Sequence, residues 1–544
     1  MKGFQIHIKN GKVNIQQYIQ PNHFDNVVSE DQDLSFGLEG VLLNQQQLKQ
    51  TTKKDQHFFK SLYQANHLNA IKQLEGEIVG YVHDIKQQCL FAFTNFTGTR
   101  KCYYYQHQNE LIIDTDLKRL VATLKTNKLP FSVDEFAMYA LLVCGNTLEN
   151  NTPIKEVKKL CDAEIFYLDL KTFTPKIISY HEALPPFKGT KDDAINQLND
   201  LFIAATKLEF DKDVEINRPS FALLSGGLDS RMTLINARQE GYAISEAFCF
   251  SQKGYWDEIV AKNIAADYDV PFHFVPLNGG EYVTAVDDIF AKSDGLINYI
   301  SAAHINYTYQ FIDADRFGLI HSGQLGDGIL GSFNKHPFQH PPTTEKIVVM
   351  SRLFSKMKDE FQQILEQYKR EEIFLTRNVG YNRAVLGSYL AESLSTYQTS
   401  PFMHSDLIRF AQSLPEEWKY QQKIYIDWIN THQKEATNYI WERTLLKPTS
   451  NLNTIIGDKL MKRIFKIWKT KLTKDIEGAN MTAYDFYFDQ NKKLQDQVNS
   501  YFNEHIERVT LPNLKADLML QFTEGSFTEK AAVLTVLSNF KHYF

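Results

Sequence analysis

Residues 224–230 read Leu-Ser-Gly-Gly-Leu-Asp-Ser, after an apolar run and before a helical pattern. The adjacent Gly226 and Gly227 let backbone approach a ligand closely. The amides of this loop and the N-terminus of the following helix make an anion site, to which the Ser225 and Ser230 hydroxyls add donors. Asp229 places a carboxylate beside that anion. Such a carboxylate makes chemical sense if it holds Mg²⁺ for a phosphate. The bland alternative is a tight strand-to-helix turn with a capping Asp. Two glycines alone would not decide between them, but the whole pattern after a buried strand favours the phosphate site. It is not a Walker A loop, because GxxxxGK[ST] is absent.

Alternating strands and helices must position this loop. A helix is predicted over 192–208, a strand over 220–224, a helix over 230–239, strands over 243–250, 272–276 and 318–322, and a helix over 257–268. Such alternation means a parallel, doubly wound α/β sheet. The last ~190 residues read as mostly helical. Before a linker at 185–190 the chain changes character. Alternating segments at 4–8, 38–43, 77–83, 90–94, 111–114 and 165–170, with one helix after Asp134, predict a β-rich domain. The boundary falls between a domain over 1–185 and one over 186–544.

The composition fits a folded chain: 43% hydrophobic and 23% charged over 544 residues. A formal net charge of −6 argues against a globally basic nucleic-acid binder. Five cysteines with no CxxC pair exclude a disulfide framework or zinc site as the default. No secretory h-region opens the sequence and no apolar run reaches membrane-spanning length, so a cytoplasmic protein without stable membrane insertion is expected. Residues 459–474 carry seven basic residues and no acid, with Leu460, Ile464, Ile467, Trp468 and Leu472 interleaved. This predicts a basic amphipathic helix that could dock an acidic peptide, a carrier or a membrane surface, with a domain-closing helix bearing a solvated cationic face as the default reading. His336 and His340 lie among prolines and read as loop rather than as a metal pair.

The SGGxDS loop resembles the hallmark of the ATP pyrophosphatase (PP-loop) family, and the flanks resemble its asparagine synthase-related branch. Asp257 and Glu258 resemble the Asp-Glu pair found there. The segment from Ser322 to Asp327, with Gly331, resembles SGxGxDExxGG. Residues 400–411, with Pro415 and Lys419, resemble RxPFLDxxLVxFA. The resemblance implies ATP and Mg²⁺ as cofactors. It places Leu224, Ser225, Gly226, Gly227, Asp229, Ser230, Ser322 and Gly323 along the nucleotide and makes Asp229 and Asp327 the metal ligands. Lys423 is then the catalytic lysine that neutralises developing charge. Gln324, Asp257, Glu258, Arg443 and Lys447 become candidate pyrophosphate or substrate contacts.

The N-terminal domain resembles the class II glutamine amidotransferase (Ntn-type α+β sandwich). Residues 38–44 are similar to NGEIYN, 74–84 to LxGxFAFxxxD, 98–104 to the end of RDxxGxxPLYY and 114–118 to SELK. The departures point to a degenerate glutaminase. Lys2 stands where the nucleophilic Cys belongs, so the thiolate is missing; Thr94 replaces the arginine of RDxxG. In the synthetase domain Gln324 and Gly328 replace two glutamates, and Thr399 replaces an arginine.

The resemblance therefore implies an AMP-forming, ATP-dependent carbon–nitrogen ligase with an inactive glutaminase domain. In logic it stands nearest the lasso peptide cyclases and β-lactam synthetases. Its substrate would be a small molecule or peptide bearing carboxylate and amine, with a precursor peptide or partner protein and a homodimer as candidate assemblies. The alternatives are asparagine synthesis and a nucleotide-binding pseudoenzyme scaffold.

Overall fold

The computed structural model describes residues 3–18, 27–53, 58–344, 347–468, 471 and 480–544; at 383, 385, 462 and 466 it describes the backbone alone. Lys2 lies outside the described residues, as do 469–470 and 472–474 of the basic segment. The chain forms two compact units, one of residues 1–134 and 148–183 and one of residues 135–147 and 184–544.

The first unit holds eleven labelled strands: β1 (Gly3–Lys9), β2 (Lys12–Tyr18), β3 (Val27–Glu30), β4 (Leu34–Leu42), β5 (Gly76–Asp84), β6 (Cys89–Thr94), β7 (Tyr103–His107), β8 (Glu110–Asp114), β9 (Val157–Lys159), β10 (Glu164–Asp169) and β11 (Thr174–Ser179). They make two antiparallel sheets, ordered β2-β1-β8-β7-β9 and β11-β10-β6-β5-β4-β3. Phe4, Ile6, Ile8, Leu111 and Ile113 from the first sheet share a core with Tyr81, Leu90, Ala92, Phe166 and Leu168 from the second. Sheet-on-sheet packing of alternating inward residues explains the period-2 pattern. The strands missed from sequence, β2, β3 and β11 among them, are about half polar and have no fully buried face.

The second unit centres on a parallel sheet of β12 (Ser220–Leu223), β13 (Ile244–Ser251), β14 (Phe272–Pro276), β15 (Ile320–His321) and β16 (Gln398–Thr399), ordered β14-β13-β12-β15-β16. Helix α1 (Lys191–Glu215) opens with a capping box between Thr190 and Asp193. It runs seven residues beyond the expected end at 208. Glu209 and Asp213, in the added turns, are buried and hold His321 on β15. Helices α2 (Leu228–Gln239) and α3 (Trp256–Asp267) follow β12 and β13. Helix α4 (Lys423–His432) packs Trp428 on α1 through Asn199 and Phe202. Strand β15 is shorter than predicted, although Ser322 N–H still donates to the Thr399 carbonyl at 2.9 Å. The two-residue edge strand β16 has too little periodic pattern to be seen in sequence. Residues 358–543 are mostly helical.

Candidate active site

The C-terminal ends of β12 and β15 face one cavity of about 490 Å³, where ligands bind in open parallel sheets. Its lining includes Leu224, Ser225, Gly227, Asp229, Ser230, Asp257, Ser322, Gly323, Gln324, Asp327 and Arg443. Residues distant in sequence thus converge, because β12 pairs directly with β15.

The loop after β12 is shaped from within. Ser225 N–H donates to Ser230 Oγ at 3.0 Å, and Gly227 N–H donates to Ser225 Oγ at 3.1 Å. Gly226 N–H donates to Asp257 Oδ1 at 2.8 Å. The loop amides expected to face a phosphate are engaged in holding the turn. The first turn of α2, with Leu228, Asp229 and Ser230, lines the cavity beside the loop residues Leu224, Ser225 and Gly227. A helix N-terminus is itself suited to anions.

The second loop closes against this turn without spare room. A Cβ on Gly323 would lie 2.2 Å from Ser230 N, and one on Gly326 2.7 Å from Asp229 Cγ. Asp327 N–H donates to Asp229 Oδ2 at 2.8 Å, and Tyr425 on α4 donates its hydroxyl to Asp229 Oδ1 at 2.7 Å. Between them Leu325 has a φ of 76°, strained for a residue with a side chain. Ser322 Oγ donates to the Thr399 carbonyl at 2.9 Å, tying the loop to β16.

Burial raises the Asp229 carboxyl well above the usual carboxylate range, and the nearby Asp327 charge adds to it. Burial lifts Asp257 to about 6 despite the Gly226 amide and Arg231, and lifts Glu442 to about 7 with help from Asp257. The buried cation among them is Arg231, whose guanidinium donates to the carbonyls of Gly226, Gly227, Ala436, Tyr439 and Ile440. Burial brings its pKa down to about 10. Four crowded carboxyls (Asp229, Asp327, Asp257 and Glu442) against one guanidinium would disfavour a naked polyphosphate. The same set fits a polyphosphate that arrives with a divalent cation, for which carboxylate oxygens are the natural ligands. Among the described residues no group of three or more His, Cys, Asp or Glu could hold a metal by itself. Asp229 and Asp327 are the two carboxylates that could hold one there together with phosphate and water.

The other expected residues fall differently. Asp257 enters the loop, whereas Glu258 turns back to accept from Gly254 N–H at 2.6 Å. Arg443 lines the cavity with its guanidinium paired to Asp458 at 2.8 Å and to Gln422 Oε1 at 2.6 Å. Lys447 is exposed and outside the cavity lining. Lys423 begins α4, half-buried, with Nζ 5.6 Å above the Tyr420 ring, and is not among the lining residues. The turn before it is unusual: Gln421 and Gln422 both have a φ of 58°. Two consecutive side-chain-bearing residues in that region cost about 1–3 kcal/mol each and persist only where surroundings impose them. The buried Lys419–Glu372 pair, at 2.5 Å, is one such constraint. His336 and His340 stack at 4.4 Å in a loop.

Sequence reasoning missed Tyr425, Arg231 and Glu442. Arg231 offered one signal, a charge in the buried phase of a helix among Met232, Leu234 and Ile235. Tyr425 offered none, standing between the apolar Ile424 and Ile426.

The sequence model of the asparagine synthase family matches residues 197–427. The matched stretch lies wholly within the second unit and spans the loop after β12 and the start of α4. A Methanocaldococcus jannaschii protein provisionally named asparagine synthetase [glutamine-hydrolyzing] 2 is 26% identical over 246 residues, 43% of this chain and 46% of that protein. The chain thus matches about half the length of that curated relative. Two solved structures share 9% and 8% identity: a glutamine phosphoribosylpyrophosphate amidotransferase from B. subtilis with ADP and GMP, and an allosteric regulatory enzyme of purine biosynthesis. Each covers 50% of this chain, with 59% and 74% of those chains and TM-scores of 0.21 and 0.23. Likenesses that slight carry no argument for the matched stretch or its site.

Proposed function

We propose that the protein is an ATP-dependent amide-forming ligase. The observation that carries this reading is the junction of the two loops. Asp229 on the first turn of α2 is half-buried, held by Tyr425 and by the Asp327 amide, and faces a cavity large enough for a nucleotide. A binding-only protein has no use for two carboxylates at the phosphate end of its site. Asp229 and Asp327 are the residues that would hold Mg²⁺. The cation, when bound, would offset the charge of the phosphates and of the surrounding carboxyls.

In this reading a substrate carboxylate oxygen attacks the α-phosphorus of ATP, and the bond from that phosphorus to pyrophosphate breaks. An amine then attacks the acyl carbon, AMP leaves and the amine loses its proton. Lys423, at the start of α4, supplies a mobile ammonium for the charge that develops; its flexible stem suits a group that reaches the site with substrate in place. Gln324, on the cavity wall, is an amide and cannot take the amine proton as a carboxylate would. This favours an acceptor other than that of plain asparagine synthesis, and an internal amine that closes a ring is the finer proposal, as in β-lactam synthetases and lasso peptide cyclases. The donor is a small molecule or peptide carrying both groups.

The test is pyrophosphate release from Mg·ATP with fractionated metabolites and peptides, for wild type, Asp229→Ala and Lys423→Ala. Release that disappears in both variants, while Lys423→Ala still binds Mg·ATP, supports the ligase. Asparagine formed from aspartate and ammonia would replace the finer proposal with asparagine synthesis. Nucleotide binding without pyrophosphate from any fraction would replace the ligase with a scaffold.

A further inference from the structure

Residues 451–468 form one continuous helix, α5, built from Asn451–Ile456, a π-type turn over Gly457–Met461, and Lys462–Ile467. Its inner face is packed. Thr454 is buried, a Cβ on Gly457 would lie 2.3 Å from Thr444 Cβ, Asp458 holds Arg443, and Phe465 meets the Trp256 ring at 6.4 Å. Its outer face carries most of the large apolar residues. Leu452, Ile456, Leu460, Ile464, Ile467 and Trp468 are between 39% and 64% exposed. A strict i, i+4 series drifts by about 40° per step in a regular α-helix. The extra residue in the π-type turn takes up that drift, so the series stays on one face for about 24 Å.

An amphipathic helix ordinarily turns its apolar stripe inward, yet the apolar stripe of α5 is the side open to solvent. Charge identifies the cover. Residues 459–474 carry seven cations and no acid in a chain of net charge −6. Lys459 and Arg463 are exposed beside Leu460 and Ile464. An apolar stripe bordered by cations, with a Trp towards one end, matches the boundary between acyl chains and anionic headgroups.

We propose that α5 docks the protein on the surface of an anionic lipid membrane, lying in the plane of the interface. No described helix is long and apolar enough to cross a membrane, so the association would be peripheral and reversible. Because Asp458 on the same helix holds Arg443, the docked helix would also be tied to the lining of the nucleotide cavity.

The test is co-sedimentation of the full chain with phosphatidylcholine vesicles and with vesicles that also contain phosphatidylglycerol. Binding is expected with the mixed vesicles alone, and it should weaken as salt rises. Lys459→Gln with Arg463→Gln should lower the partition coefficient about 30-fold, some fivefold per cation. Leu460→Glu with Ile464→Glu should abolish binding while the thermal melt is unchanged. The proposal is overturned by no binding to mixed vesicles at low salt, by equal binding to neutral ones, or by variants that bind like wild type. A concentration-dependent dimer, lost in the Leu460→Glu, Ile464→Glu variant and unaccompanied by vesicle binding, would assign the face to a second copy and also overturn it.

Discussion

Tyr425→Phe isolates one atom of the site. The hydroxyl, on a fully buried ring, donates at 2.7 Å to Oδ1 of the half-buried Asp229. The ring would remain, stacked on Trp428 at 5.7 Å, so the substitution deletes a hydrogen bond without opening a large cavity. A bond from a hydroxyl to a carboxylate contributes about 1.5–3 kcal/mol. If the ionised Asp229 is what the reaction needs, its loss slows pyrophosphate release roughly 10- to 150-fold near neutral pH. The sign of the pH effect follows from the same bond. Tyr425 favours the charged carboxylate, so its removal raises an already raised pKa, by about one unit for every 1.4 kcal/mol lost. The acid limb of the rate profile should move to higher pH, and part of the lost rate should return at alkaline pH. Pyrophosphate release measured across pH for wild type and variant reads both effects. A variant within about twofold of wild type, with its acid limb unmoved, would refute the claim that Asp229 acts as a carboxylate held by Tyr425.

Four further outcomes follow from the same geometry. Gly323→Ala sets a Cβ 2.2 Å from Ser230 N, against backbone that cannot rotate away; Mg·ATP binding by calorimetry should fall below detection while the chain stays folded. Lys423→Ala should keep Mg·ATP binding and lose at least about 100-fold in pyrophosphate release, as expected when a charge is removed from the transition state alone. Burial works against the His321 charge, but Asp213 at 2.7 Å and Glu209 outweigh it and raise the pKa to about 9. The protonated ring therefore stabilises the fold below about pH 6.5, by up to about 3 kcal/mol. That contribution should fade as pH rises through 9, and His321→Asn should remove this stretch of the denaturant-midpoint profile. Glu372→Gln strips the buried Lys419 of its charged partner; chemical denaturation should show a loss of about 3–5 kcal/mol.

What was legible in the sequence is what local chemistry alone determines. The SGGLDS loop could be read because two glycines, two hydroxyls and one carboxylate within seven residues mean the same thing wherever the chain folds. The strands that alternate could be read because one side of each is buried in the core. Tyr425 could not, because its value lies in a partner 196 residues away, and nothing in its own helix separates it from the core residues Ile424 and Ile426. Arg231 is similar: its charge is answered by backbone carbonyls, which have no sequence signature. The late end of α1 shows the rule in reverse. Glu209 and Asp213 lie past the expected end of the helix, and become interior residues only because β15 brings His321 between them. Helix α5 is the reverse again. Its apolar residues looked like the buried side of a closing helix with a solvated cationic face, yet the fold buries Thr454, Gly457 and part of Phe465 and leaves the isoleucines outside. Sequence pattern found the amphipathic helix; which of its faces met the protein was decided by where Arg443 and Thr444 stood to receive it. An apolar face that the fold declines to cover is a requirement placed on the surroundings.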